Sequence, residues 1–333
     1  MRRRQVIKLL GGAAAAWPIA ASAQQRTMPL VGFLGSDSPD LYGDRLRAFR
    51  QGLKETGYVE RENVAIEYRW AEGRNDQLPA LAADLVRLGV DVLIGTTTPS
   101  VLALKAATTT IPIVFLVAGD PVALGLVASL NRPGGNLTGT TILGLEVGTK
   151  WLQLSHETVP TATTFAVLIN PTSPNLAEAQ TNDLQGAARS LGLQIHLLNA
   201  STVHDLESAF ATIAQVRDGG LVVSSDSWFF AHIERIAALA TRYRVPTIFA
   251  YRELPAAGGL MSYGADVTGA HRTVGTYAGR ILNGEKPADL PVQQSTKLEL
   301  VINQKTAKAL GLTIPLSILG RADEVIECGG ASS

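Results

Sequence analysis

The sequence predicts an α/β protein of two Rossmann-like, doubly wound parallel-sheet lobes joined by a multi-strand hinge. Three observations predict it. Short β-branched runs alternate with amphipathic stretches along most of the chain, the βαβ pattern of a parallel sheet. That alternation restarts after Asn136. The two halves also repeat each other: Gly32 to Pro39 aligns with Ala166 to Ser173, Val90 to Thr97 with Gly219 to Asp226, and Ile111-Pro112-Ile113-Val114-Phe115 with Val245-Pro246-Thr247-Ile248-Phe249, at offsets of 134, 129 and 134.

At the N-terminus, Arg2, Arg3 and Arg4 precede a Gly/Ala-rich apolar run, and Ala21-Ser22-Ala23 forms a small-x-small cleavage site. This order predicts a signal peptide over 1–23, and Arg3-Arg4-Gln5-Val6-Ile7-Lys8 is similar to the twin-arginine export motif. The apolar run is shorter than the roughly 20 residues of a spanning helix. No Cys follows it for a lipid anchor, so the expected product is periplasmic, without membrane insertion of its own.

Leu30 to Gly35, Val64 to Tyr68, Val90 to Gly95 and Ile113 to Ala118 are apolar runs bounded by turn residues, as expected of strands buried on both faces. Between them, Gly43 to Thr56 and Gln77 to Leu88 carry apolar residues at helical spacing. Phe165 to Ile169, Leu193 to Asn199, Gly220 to Ser224 and Thr247 to Ala250 form the second strand set, with helices over Leu176 to Leu191, Val203 to Val216 and Phe229 to Tyr243. A short strand near Met261, a helix over Thr268 to Leu282 and a strand over Lys297 to Ile302 are then expected to recross between the lobes. The expected division is 28–140 plus 257–287 for the first lobe, 141–256 plus 288–327 for the second, and a flexible tail over 328–333.

Composition removes several functions. Without the first 23 residues, 25 basic residues face 29 acidic ones, which suggests no nucleic-acid partner. The lone Cys328 offers no internal disulfide. The five His residues form no zinc-type pair, and no G-x-S-x-G elbow, phosphate loop or dinucleotide fingerprint is present. No catalytic constellation, metal site or cofactor is expected.

Two such lobes turn the carboxyl ends of their strands toward a common crevice, where open α/β sheets bind ligands. In the first lobe Ser36, Thr96, Thr97, Thr98 and Asp120-Pro121 follow strands; in the second, Asn170, Asp226 and Tyr251 do. The hydroxyls and helix N-termini suit a carboxylate or other anion, Asp226 suits an ammonium, and Tyr251 offers a stacking face. The alternative for Thr97 and Asp226 is plain helix capping.

Gly52-Leu53-Lys54-Glu55-Thr56-Gly57-Tyr58-Val59-Glu60, Asn63 to Tyr68, Leu78 to Val86 and Asn131-Arg132-Pro133-Gly134-Gly135-Asn136-Leu137-Thr138-Gly139 resemble the ABC transporter substrate-binding protein family that includes tryptophan and tyrosine binders. The likeness runs from about Met28 to Glu327. It implies a type I periplasmic-binding-protein fold, a small-molecule ligand such as an amino acid or related carboxylate held by hinge closure, and an ABC permease with its ATPase as partner of a monomer. It further implies ligand contacts at Ser36, the Thr96 to Pro99 turn, Asp120-Pro121, Asn170 and Asp226, with Thr97 and Thr98 on an α-carboxylate and Asp226 on the ammonium. The competing reading is an extracytoplasmic sensory module passing occupancy to a receptor, which a gene neighbourhood lacking permease and ATPase would favour.

Overall fold

The computed structural model describes residues 28–142, 147–216 and 219–327. The expected signal segment 1–23 and tail 328–333, with Cys328, lie outside them. The first lobe opens with β1 (Leu30–Gly35), α1 (Gly43–Glu55), β2 (Ala65–Trp70), α2 (Leu78–Arg87), β3 (Val92–Gly95), α3 (Thr98–Ala107), β4 (Ile113–Ala118) and β5 (Leu137–Ile142). The second contains α4 (Gly148–Thr158), β6 (Thr164–Ile169), α5 (Pro174–Leu191), β7 (Gln194–Asn199), α6 (Val203–Val216), β8 (Leu221–Val223), α7 (Ser227–Ala231), α8 (Ile233–Tyr243), β9 (Thr247–Phe249), α9 (Glu253–Ala256) and β10 (Met261–Ala265). The chain continues through α10 (Val267–Leu282), β11 (Gln293–Ser295), β12 (Leu298–Asn303), α11 (Gln304–Ala309), α12 (Leu316–Leu319) and β13 (Glu324–Ile326).

One sheet runs β11-β5-β4-β3-β1-β2, the other β13-β12-β10-β9-β8-β6-β7. Five strands of each therefore follow the same order, β2-β1-β3-β4-β5 matching β7-β6-β8-β9-β10. The lobes diverge at one edge: β11 runs parallel to β5, whereas β12 runs antiparallel to β10. Both faces of each sheet are covered, which explains the continuously apolar strand sequences. Val31 and Phe33 pack under α1 and α10, while Leu34 and Leu93 pack under α2 and α3. In the second lobe Phe165 and Val167 face α4 and α5, and Ala166 and Leu168 face α6 and α8.

Sheet membership moves the expected division. β10 pairs with β9 in the second sheet instead of joining the first lobe, and β11 pairs with β5 in the first sheet although it falls after 287. The chain thus recrosses between β10 and α10 and between β11 and β12. α10 returns to the first lobe because it seats closely on α1: Gly52 lies against the Arg272 carbonyl with no room for a β-carbon. The helix expected over 229–243 breaks at His232, whose Nδ1–H donates to the Trp228 carbonyl at 2.8 Å, separating α7 from α8.

Candidate functional site

The repeat that aligns the lobes places Ser36 opposite Asn170 and Thr97 opposite Asp226, and each pair is joined in the folded chain. In the first lobe Ser36 Oγ lies 2.5 Å from Thr97 Oγ1. In the second, Asn170 Nδ2 donates to Asp226 Oδ1 at 2.8 Å. Each tie links the residue after a central strand to the N-cap of the helix after its neighbour, so it fixes two strand tips together.

Thr97 caps α3 through a capping box with Ser100, accepting from the Ser100 N–H while the Ser100 side chain accepts from the Thr97 N–H. Pro99 has no N–H, and the Val101 N–H bonds to the Thr97 carbonyl. Among the described residues Thr98 N–H is thus the first-turn donor without a hydrogen-bond acceptor, one free donor where a helix can present several. Asp226 caps α7, accepting from Trp228 N–H at 2.8 Å on Oδ1, and its Oδ2 accepts from Ser173 Oγ at 3.0 Å. With Asn170, that carboxylate receives three hydrogen bonds from its own lobe, and Asn170 in turn accepts from Thr172 N–H and Oγ1. The capping role of Thr97 and Asp226 is realised.

Beside the first-lobe tie stands a charged and aromatic group. Asp37 is buried, and Tyr42 OH donates to its Oδ2 at 3.4 Å while lying 3.3 Å from Thr96 Oγ1. Trp70 packs edge-on against Tyr42, and its indole takes the space that any side chain at Gly35 would need. Burial, then the Asp37 charge, pushes the Tyr42 phenol up to about 12, so it is a neutral donor. Burial also raises the Asp37 carboxyl above the usual range, opposed by Arg45 and the Tyr42 bond.

Arg45 of α1 spans the gap. Its Nε donates to Glu253 Oε1 at 2.9 Å, and its guanidinium lies 4.1 Å from the Phe230 ring centre, 5.5 Å from Tyr251 and 5.3 Å from Tyr42. Arg45 Nη2 sits 2.9 Å from the same Glu253 oxygen, but not aligned for a hydrogen bond. A cation on aromatic faces in a dry interface is held by ring quadrupoles as well as by its counter-ion. His271 of α10 meets the Tyr42 ring edge-on; its Nδ1–H donates to the Val267 carbonyl at 2.8 Å and its Nε2 has no partner. Burial, then Arg45, pushes its pKa down to about 3, so it is neutral. The tips of both sheets therefore meet across one gap, with Asp37 close enough for its charge to be felt at Tyr251.

Of the residues singled out in the sequence, Ser36, Thr96, Thr97 and Thr98 gather at the first-lobe tip, and Asn170, Asp226 and half-buried Tyr251 at the second. Asp120 sits in an exposed turn, its carboxylate accepting from Val122 N–H at 2.8 Å, and Pro121 is buried behind it; among the described residues no hydrogen bond ties either to the tip clusters. Sequence reasoning missed Tyr42, Arg45, Phe230 and His271 and gave Asp37 no role. Arg45 had a readable signal: it lies on the same helix face as Phe49, Gly52 and Leu53, where every other residue is apolar or Gly.

Two lobes of one topology whose strand tips face a shared gap define a ligand-binding protein of the type I periplasmic-binding-protein fold. The chain belongs to the ABC transporter substrate binding protein family, whose model matches residues 37–326. That family implies a small-molecule ligand and an ABC permease as partner. A tyrosine-binding protein of Clostridioides difficile is 27% identical over 267 residues, spanning 80% of this chain and 76% of that protein. An ABC domain from Streptococcus pneumonia in complex with L-Trp is 26% identical, with a TM-score of 0.76, covering 90% of this chain and all of that one. A conserved domain protein from Vibrio cholerae has 30% identity, the same TM-score and the same coverage. Among the described residues no helix is long and apolar enough to cross a membrane.

Proposed function

We propose that this chain is the exported, periplasmic receptor of an ABC importer: a monomer that closes its hinge around an amino acid or related carboxylate, delivers it to the permease and catalyses nothing. The observation that carries this reading is the meeting of the two sheets' polar tips across one gap bridged by Arg45 and Glu253. Ligand contacts are assigned to Ser36, Thr96, Thr97, Thr98 and the Asp120-Pro121 turn on one side and to Asn170, Asp226 and Tyr251 on the other. The ligands named for the streptococcal and clostridial relatives, L-Trp and tyrosine, support an amino acid as the cargo class. The aromatic faces of Trp70, Tyr42, Phe230 and Tyr251 suit an apolar or aromatic side chain. Asp226, engaged by three donors of its own lobe, both holds Asn170 in place and offers its remaining acceptor capacity to the ligand.

The test is a thermal-shift screen of amino acids, purines and small carboxylates, since a solute that prefers the folded state raises the melting temperature. A rise with one or more amino acids that are recovered unchanged is expected. No rise with any compound, or conversion of the bound compound to product, would contradict the reading.

A further inference from the structure

A cavity of about 320 Å³ opens beside the hinge, where the first two turns of α10 face β11 and the segment leading into β12. That volume is at the small end of ligand pockets, about 300–1,000 Å³, and suits one molecule the size of a monosaccharide. None of the residues assigned to the strand-tip gap lines it. It forms where the duplication of the lobes fails, since β11 runs parallel to β5 while the matching edge of the second sheet carries antiparallel β12.

At its floor lies Thr140 of β5, in register with Gln293 of β11 and only 1% exposed. Among the described residues its Oγ1 has no hydrogen-bond partner. Buried hydroxyls in native proteins are seldom left so, and Thr138, two residues before it on the same face of the strand, donates to the Leu290 carbonyl at 2.6 Å. Thr140 thus keeps a donor and an acceptor for whatever fills the cavity.

The walls fix the chemistry of that occupant. Hydroxyls of Thr273, Ser295 and Thr296 and the amides of Gln293 and Gln294 surround the floor, groups that donate and accept without charge. The two charged side chains in the lining answer each other: Lys297 Nζ lies 3.7 Å from Asp266 Oδ2 and 2.8 Å from Glu299 Oε1. Asp266 Oδ1 accepts from the Gly269 N–H at 2.6 Å. No cation is left over for an anionic ligand, and no aromatic ring lines the cavity to hold an apolar one.

We propose that this hinge cavity is a second binding site, for a small neutral polyhydroxylated molecule whose hydroxyls pair with the amides of Gln293 and Gln294 and with Thr140. The site stands apart from the strand-tip gap and holds whether or not that gap takes an amino acid. Its lining includes both segments by which the chain recrosses between the lobes, already joined where the Asp266 N–H donates to the Lys297 carbonyl at 3.0 Å. A polyol held there braces the two crossings against each other.

The test is calorimetry on the purified protein with glycerol, D-glucose and myo-inositol, and with acetate and ethylammonium as charged probes. Wild type is expected to bind at least one polyol with a dissociation constant below roughly 10 mM. Thr140→Val should weaken that binding roughly threefold to tenfold, the loss of one neutral hydrogen bond, while the melting temperature of the protein without polyol holds or rises, because the hydroxyl removed has no partner within the chain. Wild type binding no polyol, so that water alone answers Thr140, overturns the proposal, as does a polyol affinity that Thr140→Val leaves unchanged. A charged probe bound in place of the polyols and weakened by Thr140→Val overturns the ligand class. Should Thr140→Val fail to fold, Gln294→Leu on the exposed rim takes its place: weakened polyol binding supports the site, and unchanged binding overturns it.

Discussion

At the second lobe's tip, Asp226, Asn170, Ser173 and Thr172 close a hydrogen-bonded lattice in which the carboxylate has three donors of its own. At the first lobe's tip the equivalent tie, Ser36 to Thr97, is a hydroxyl pair, and beside it lie groups with unused capacity: Asp37 with one long bond, Arg45 with an unaligned Nη2, His271 with a bare Nε2. One duplicated scaffold thus has one tip satisfied from within and another left partly unsatisfied. The second tip is closed by its own hydrogen bonds, and the first keeps polar atoms that no group among the described residues engages.

The comparison breaks most visibly under acid. His271 belongs to the first lobe and is held neutral, its pKa lowered from 6.5 to about 3. The unfolded chain takes a proton on that residue below pH 6.5 while the folded chain resists until about 3, so the stabilising contribution is complete above 6.5 and is lost as pH falls through that window. The loss is on the order of 5 kcal/mol, read as the unfolding free energy by urea titration at each pH. His271→Gln should flatten that part of the profile; an unchanged slope places the acid sensitivity elsewhere.

Arg45→Ala should cost about 3 kcal/mol, since it strips three rings of their cation and leaves Glu253 and Asp37 without a nearby positive charge. Urea unfolding measures this, and a cost near zero would mean that the lobe-to-lobe bridge holds nothing. Asp226→Ala should cost about 2 kcal/mol through the lost cap and the orphaned Asn170 and Ser173. If it weakens solute binding with no change in stability, the second tip is not closed by its own hydrogen bonds. Ser36→Ala should be mildest, about 1 kcal/mol, because Thr97 keeps its capping box.

The fold was legible because duplication is written into the spacing: the 134 and 129 offsets carry β1, β2, β3 and β4 onto β6, β7, β8 and β9. The same symmetry called for a fifth strand in the second sheet, which is β10, but its small-residue sequence, Met261-Ser262-Tyr263-Gly264-Ala265, lacks the β-branched signature of the others. Ser36, Thr97, Asn170 and Asp226 were legible since strand ends are marked by turn chemistry. Arg45, Phe230 and His271 sit inside helices, and their meeting depends on how one lobe docks on the other, which no local pattern encodes. Helical periodicity likewise does not report the break at His232, where the ring bonds to the Trp228 carbonyl.

Capture of a solute between the two tips is the step on which the proposed function turns. A crystal structure of the protein with the amino acid that most raises its melting temperature tests this directly. The ligand is expected between the lobes, its polar atoms shared between the Ser36–Thr97 and Asn170–Asp226 ties. A ligand bound on the outside of either lobe, or one touching only a single tip, would contradict it.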